Sequence, residues 1–201
     1  MDVAGKKILV VGLGRSGIAA ARLLAARGAR VTANDVRSES ELTHDDDEQL
    51  QVLRGSQVRL VLGAHPQPIF LASDLIVVSP GVPPIPELAR AEEVGIPIAS
   101  EVEAASWFLS ARIIGITGTN GKSTVTTLVG QMCERAGYPT FVGGNLGAPL
   151  IEAVGSPADR PDGLVVAELS SFQLERVSQL HVPIAALLNL SADHLDRYPD
   201  F

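Results

Sequence analysis

Short runs of unbroken apolar residues recur along the chain, each closed by glycine or a polar turn. Ile8–Val11, Leu75–Val78 and Leu164–Ala167 are the clearest. A strand that is apolar at every position, rather than at alternate ones, is buried on both faces, as parallel sheets covered by helices require. The pattern predicts strands at Ile8–Val11, Arg30–Ala33, Val58–Leu62, Leu75–Val78 and Ile96–Ile98, then at Arg112–Ile116, Thr140–Val142, Gly163–Leu169 and Ile184–Asn189. Between them Ile18–Arg27, Pro86–Val94, 101–109 and Ser123–Ala136 read as helices, the first of them stopped by Gly28. Strand and helix alternate throughout, which argues for an α/β fold. A boundary near residue 100 gives a Rossmann-like parallel-sheet domain, 1–100, followed by the first part of a P-loop-type α/β ATPase domain, 101–201. About four candidate strands are a thin core for that second domain, so the chain is expected to be part of a longer protein.

Composition narrows the class. Hydrophobic residues make up 46% and aromatics only 4%, so the core must be built from Val, Leu, Ile and Ala. The net charge of −7 and the absence of a basic stripe argue against a nucleic-acid partner. No apolar stretch is long enough for a membrane span, and the run after Lys6 and Lys7 is too short for a signal-peptide core. With one cysteine, Cys133, no internal disulfide can form; a cytoplasmic protein is expected, with Cys133 as a small buried side chain. The acidic run Glu39–Glu48 reads as a solvated segment.

Two glycine-rich loops carry the chemistry. Gly12-Leu13-Gly14-Arg15-Ser16-Gly17 fits G-x-G-x-x-G between a strand and a helix, where glycines let a diphosphate approach the backbone. Asp35 ends the next strand, placed to hold a ribose hydroxyl. The motif does not distinguish NAD or FAD from a UDP-sugar. Gly118-Thr119-Asn120-Gly121-Lys122-Ser123-Thr124 also joins a strand to a helix. There Lys122 can neutralise β- and γ-phosphates, backbone N–H groups can wrap them, and a Ser123 or Thr124 hydroxyl can ligate Mg²⁺. The first glycine of G-x-x-x-x-G-K-[ST] is missing, because Ile116 stands there. An NAD enzyme has no need of the second loop, and a simple ATPase no need of the first. An ATP-driven enzyme acting on a nucleotide-tagged substrate needs both.

Further segments follow strands: Gly143-Gly144-Asn145-Leu146-Gly147, Glu168-Leu169-Ser170-Ser171-Phe172-Gln173-Leu174-Glu175, and Asn189-Leu190-Ser191-Ala192-Asp193-His194-Leu195-Asp196-Arg197-Tyr198. Together with Thr117–Thr124 they resemble the Mur ligase family along the whole chain. The Ser-Ser-Phe-Gln-Leu-Glu segment and Ser79-Pro80-Gly81 are most similar to members that add D-glutamate.

The resemblance implies an ATP- and Mg²⁺-dependent ligase of peptidoglycan-precursor synthesis, acting as a monomer. Its substrates would be UDP-N-acetylmuramoyl-L-alanine and D-glutamate, joined through an acyl phosphate. By the same resemblance Gly118, Thr119, Asn120, Gly121, Lys122, Ser123 and Thr124 would bind ATP, with Lys122 and His194 catalytic. Ser123, Glu168 and His194 would hold metal. Ser16, Asp35, Arg37 and Gly81 would surround the UDP, and Asn145 and Ser170 the muramoyl-alanine. The family's carbamylated lysine, adenine-contacting segment and amino-acid domain have no counterpart in these 201 residues, so this chain alone is expected not to complete the ligation. His44, His65 and His181 are read as structural or surface residues. Three other readings stay open: a family member adding a different amino acid, a nicotinamide-dependent oxidoreductase, and a non-catalytic UDP-sugar-binding module.

Overall fold

The computed structural model describes residues 1–41, 50–195, 197 and 198; His44 and the rest of the acidic run beyond Glu41 lie outside the described residues. The first sheet comprises β1 (Lys7–Val11), β2 (Arg30–Asp35), β3 (Arg59–Leu62), β4 (Leu75–Val78) and β5 (Ile98–Ser100), in the order β3-β2-β1-β4-β5. The second comprises β6 (Arg112–Thr117), β7 (Thr140–Gly144), β8 (Leu164–Glu168) and β9 (Ile184–Leu187), in the order β7-β8-β6-β9. Every pairing is parallel, and the α/β class read from the apolar runs stands.

Strand β1 shows why. Its side chains alternate between faces, and Ile8, Leu9, Val10 and Val11 are all buried. Ile8 and Val10 pack with Ile18, Ala21 and Leu24 of the helix Arg15–Ala26. Leu9 and Val11 pack on the other side with Phe70, Ile76 and Leu88.

The helix Glu101–Ser106 joins the two sheets. Ser100 caps it by accepting from the Glu103 N–H at 3.3 Å. Val102, Ala104 and Ala105 belong to one apolar cluster with Val10 of the first sheet and Val165 of the second. Its two acids are buried as well. The Glu103 carboxylate accepts from Trp107 Nε1 and from the backbone N–H groups of Ser178, Gln179 and Leu180, at 2.9–3.2 Å. Burial raises its pKa, but these donors outweigh burial and hold it below the usual carboxylate range. Among the described residues Glu101 accepts only from the Ile151 N–H, at 2.6 Å, and its second oxygen has no partner. Burial, aided by the charge of Glu152 and opposed by that N–H, pushes its pKa up to about 7.

Several boundaries differ from the sequence expectation. The last strand of the first sheet runs Ile98–Ser100 rather than from Ile96, because Pro97 has no N–H to donate to a ladder. The linking helix stops at Ser106 rather than 109. β9 stops at Leu187, and the residues after it turn to hold the second glycine loop. Cys133, expected inside, is half-buried, because only Thr126 and Gly130 of the helix Lys122–Arg135 are fully covered. Short helical turns at Gln67–Leu71, Leu150–Ala153 and Ser171–Leu174 were not foreseen. Among the described residues no helix is long and apolar enough to cross a membrane.

Candidate functional site

The first glycine loop is fixed from beneath. Gly12 has φ +87° and donates its N–H to Asn34 O at 2.8 Å, while Ser79 Oγ donates to Gly12 O at 2.7 Å. Gly17 lies so close that an added Cβ would sit 1.8 Å from Gly12 O. Asp35 is buried at the end of β2 and accepts from the Leu13 N–H at 2.7 Å, from the Arg37 N–H at 2.9 Å and from the Arg37 guanidinium at 3.1 Å. Burial raises its pKa, but the Arg37 and Leu13 donors outweigh burial and keep the carboxyl below its usual range. Much of the acceptor capacity expected to meet a ribose is thus spent on shaping the loop.

Above this floor opens a cleft of about 720 Å³. Ser16, Asp35, Arg37, Gly81 and Asn145 all line it, five of the six expected substrate residues. Asn145 reaches it from the second sheet, as does Gln173. His65, expected to be structural or surface, also stands in its wall, with Nδ1 2.6 Å from Asn34 Oδ1. His181 is exposed, as expected.

The second glycine loop follows β6. Gly118 and Gly121 have φ of +138° and +85°, and Lys122 begins the helix. The loop is tied to the segment after β9: the Thr119 N–H donates to Asn189 O at 3.1 Å, and the Asn120 N–H to Asn189 Oδ1 at 2.9 Å. Lys122 Nζ folds back onto Gly118 O and Thr119 O, at 2.8 and 2.9 Å. A hollow of about 240 Å³ beside it is lined by Gly118, Thr119, Lys122, Ser170, Ser171 and His194, among others. Ser170 therefore faces this hollow rather than the first cleft. Ser123 and Thr124 sit in the first turn of the helix, outside that lining.

Glu168 ends β8 fully buried. Asn145 Nδ2 donates to its Oε1 at 2.7 Å, and its Oε2 has no partner among the described residues. An orphaned, buried carboxylate oxygen is the feature that fits a hard divalent cation. The Ser123 and Thr124 hydroxyls and the N–H groups opening the helix lie just after the second loop, and groups of these types can meet phosphate oxygens or a hard cation. No three His, Cys, Asp or Glu side chains converge on a metal position among the described residues. His194 has φ +51°, uncommon for a residue with a side chain, and its ring lies 4.7 Å from that of Phe172.

Sequence reasoning missed the support behind His194. Arg197 Nε and Nη2 fork onto Glu175 at 2.9 and 2.5 Å, and the guanidinium stacks 4.6 Å above Phe172. Tyr198 Oη donates to Glu175 at 2.6 Å, and the Arg197 and Tyr198 N–H groups both donate to His194 O. The signal available was an aromatic and an acid in one motif matched by Arg-Tyr in the next.

With that geometry in hand, comparison with known proteins is informative. Residues 6–100 match the Mur ligase MurD-like N-terminal domain, and residues 116–201 match the Mur ligase middle domain. Proteins named UDP-N-acetylmuramoylalanine--D-glutamate ligase are 49% identical in Trichlorobacter lovleyi, 51% in Pelobacter propionicus and 50% in Geobacter metallireducens. Each alignment takes in all of this chain but only 43–44% of the relative, so the chain spans less than half the length of these curated relatives. On two matched domains and this identity, the chain belongs to the Mur ligase family.

Proposed function

We propose that this chain supplies the nucleotide-sugar site and much of the ATP site of a cytoplasmic ligase. That ligase joins D-glutamate to UDP-N-acetylmuramoyl-L-alanine in peptidoglycan-precursor synthesis. The two sites belong to two domains, 1–100 and 101–201. The observation that carries the reading is the turn Ser171–Leu174 with its cap. Ser170 and Gln173 form a reciprocal capping box, with the Ser170 N–H donating to Gln173 Oε1 at 2.9 Å. Gln173 lines the first cleft, and Ser170 lines the hollow beside Lys122. A substrate with its diphosphate at the first loop and its acyl end past Asn145 thus comes within reach of the second loop.

ATP with Mg²⁺, when bound, supplies the phosphoryl group that turns the substrate carboxylate into an acyl phosphate. The chain's own residues position and neutralise. Ser16 and Gly14 receive the diphosphate at the helix N-terminus, and Asp35 and Arg37 bracket the nucleoside. Lys122 leaves the carbonyls of Gly118 and Thr119 for phosphate oxygens, while Ser123 or Thr124 and Glu168 offer oxygen ligands to the metal. Asn145 orients Glu168 and meets the muramoyl-alanine, joined there by Ser170. His194 faces the reacting end, held by Phe172 and the Arg197–Glu175 pair. Calorimetric titration tests the reading: saturable binding of UDP-N-acetylmuramoyl-L-alanine without binding of NAD is expected. Binding of NAD alone would overturn it.

A further inference from the structure

Asn34 and His65 play no part in the reaction above, yet His65 stands in the wall of the first cleft and Asn34 is buried behind it. Asn34 is fully buried near the end of β2. Its amide nitrogen has two hydrogens and both are used: Nδ2 donates to Val61 O at 2.8 Å and to Ala64 O at 2.8 Å. Only that orientation of the carboxamide satisfies the two carbonyls, so the atom turned to His65 is an oxygen. It lies 2.6 Å from Nδ1. An oxygen accepts, so Nδ1 carries the hydrogen and donates it. In the neutral ring the other nitrogen, Nε2, is then a bare acceptor. The ring stands edge-on to buried Phe70, centroids 6.0 Å apart and planes at 88°, which holds its plane. With Nδ1 turned into the end of the sheet, Nε2 is the nitrogen left for the cleft that His65 lines.

We infer that His65 is a specificity-determining residue, whose Nε2 accepts a hydrogen bond from the ring N3–H of a uracil base and so selects uridine over cytidine nucleotides. The inference rests on the reading of the first cleft as a UDP-sugar site. Strand order supports the placement. The glycine loop follows β1, Asp35 ends β2 and His65 lies just past β3, three neighbouring strands in one sheet. A nucleotide laid along that edge with its diphosphate at β1 has its ribose at β2 and its base toward β3. Uracil carries a hydrogen at N3. Cytosine carries a lone pair there and would set acceptor against acceptor. Because Asn34 fixes the tautomer, the imidazole cannot answer by moving its proton.

The test is calorimetric binding of UDP and of CDP to the wild-type chain, His65→Leu and His65→Gln, with thermal melting to confirm that each variant is folded. The wild type is expected to favour UDP by roughly tenfold or more. Leucine removes the acceptor, and the ratio falls toward one through weaker UDP binding. Glutamine, the milder change for folding, can present either an oxygen or an N–H to the base, and the ratio falls again. A ratio that survives in either variant overturns the inference, as does an equal loss of UDP and CDP affinity. So does a wild type that binds both alike. A wild type that binds neither nucleotide removes the UDP-sugar reading itself, a result distinct from the others.

Discussion

The two glycine loops follow the same strand–turn–helix plan but are finished differently. In the first, the buried polar groups have internal partners: Asp35 takes donors from Leu13 and Arg37, Ser79 holds Gly12 O, and a cleft of about 720 Å³ stands open. In the second, Lys122 spends its ammonium on two carbonyls of its own loop, and Glu168 Oε2 has no donor among the described residues. The first loop is preorganised, so a ligand can bind with little rearrangement. On the proposed reading, the second holds its charges in contacts that an incoming phosphate and cation would replace. Folding would then complete one site, and ligand the other.

The largest expected effect tests the first half of that contrast. Gly17→Ala would set a Cβ 1.8 Å from Gly12 O and 2.6 Å from Ser79 Oγ. Gly12 cannot retreat without losing its N–H bond to Asn34 O. The cost should be about 3 kcal/mol or more in urea unfolding. Gly14→Ala, with nothing within 4 Å of the new methyl, should change stability by less than about 0.5 kcal/mol. Equal midpoints for the two variants would break the claim that the first loop is built by close packing.

Lys122→Ala should do the reverse. Its Nζ touches only loop carbonyls in the unliganded chain, so unfolding should shift by no more than about 0.5 kcal/mol. ATP binding should weaken by about 1.5–3 kcal/mol, the worth of hydrogen bonds to a charged group. Calorimetry should find affinity for the UDP-sugar unchanged. A variant that lost stability and kept ATP affinity would mean that the lysine is a structural clamp.

The same contrast explains how much was legible in the sequence. The strands were, since Ile8–Val11 and Leu164–Ala167 are apolar at every position and only a doubly covered sheet uses such runs. The glycine loops were legible too, because positive φ and close approach demand glycine. The turn Ser171–Leu174 was readable in principle from Ser170 and Gln173 at capping-box spacing, but four residues show no helical period. Gln67–Leu71 was hidden by its prolines, Pro66 at the cap and Pro68 in the first turn. Glu101 and Glu103 look like surface acids on a helix. Their partners lie at Ile151 and at 178–180, too far along the chain for any local pattern to expose. The Asn34–His65 pair was hidden for the same reason, since both of its ends are fixed only when β2 and β3 pair.

At the joint between the sheets Glu101 is a buried acid with one donor among the described residues. Its pKa is raised from the ordinary Glu value to about 7. The folded state therefore binds a proton more tightly than the unfolded one. The stability this gives is fully present below about pH 4 and is lost as pH rises through about 7. Glu101→Gln keeps an oxygen for the Ile151 N–H and never ionises. It should gain on the wild type by about 1–3 kcal/mol between pH 5 and 8 and match it near pH 4, in melts across that range. Glu103, with its several N–H donors, should give no such gain when changed to Gln. A pH-independent difference for Glu101→Gln would remove the buried charge from the argument.

The smallest effect concerns the ligand-completed site. Arg197 ties the His194 segment to Glu175 by a two-pronged ion pair, to Phe172 by stacking, and to Val82 O of the first sheet's side at 3.4 Å. Lysine can replace one prong but neither the fork nor the flat stacking face. The pair is partly exposed, so Arg197→Lys should cost about 0.5–1 kcal/mol in unfolding. Burial alone would raise the pKa of Glu175, but the Arg197 guanidinium and the Tyr198 hydroxyl outweigh it and hold the value below the usual range. A carboxyl lowered in the folded state stabilises above the ordinary Glu pKa and loses that contribution as pH falls through its folded value. The gap between wild type and Arg197→Lys should therefore narrow as pH drops from 7 to below about 4. Amide exchange sharpens the point further. The N–H groups of Arg197 and Tyr198, both bound to His194 O, should exchange faster in the variant, while those of the first glycine loop keep their wild-type rates. Faster exchange in both loops would mean that the two sites are finished by one shared support rather than by two separate ones.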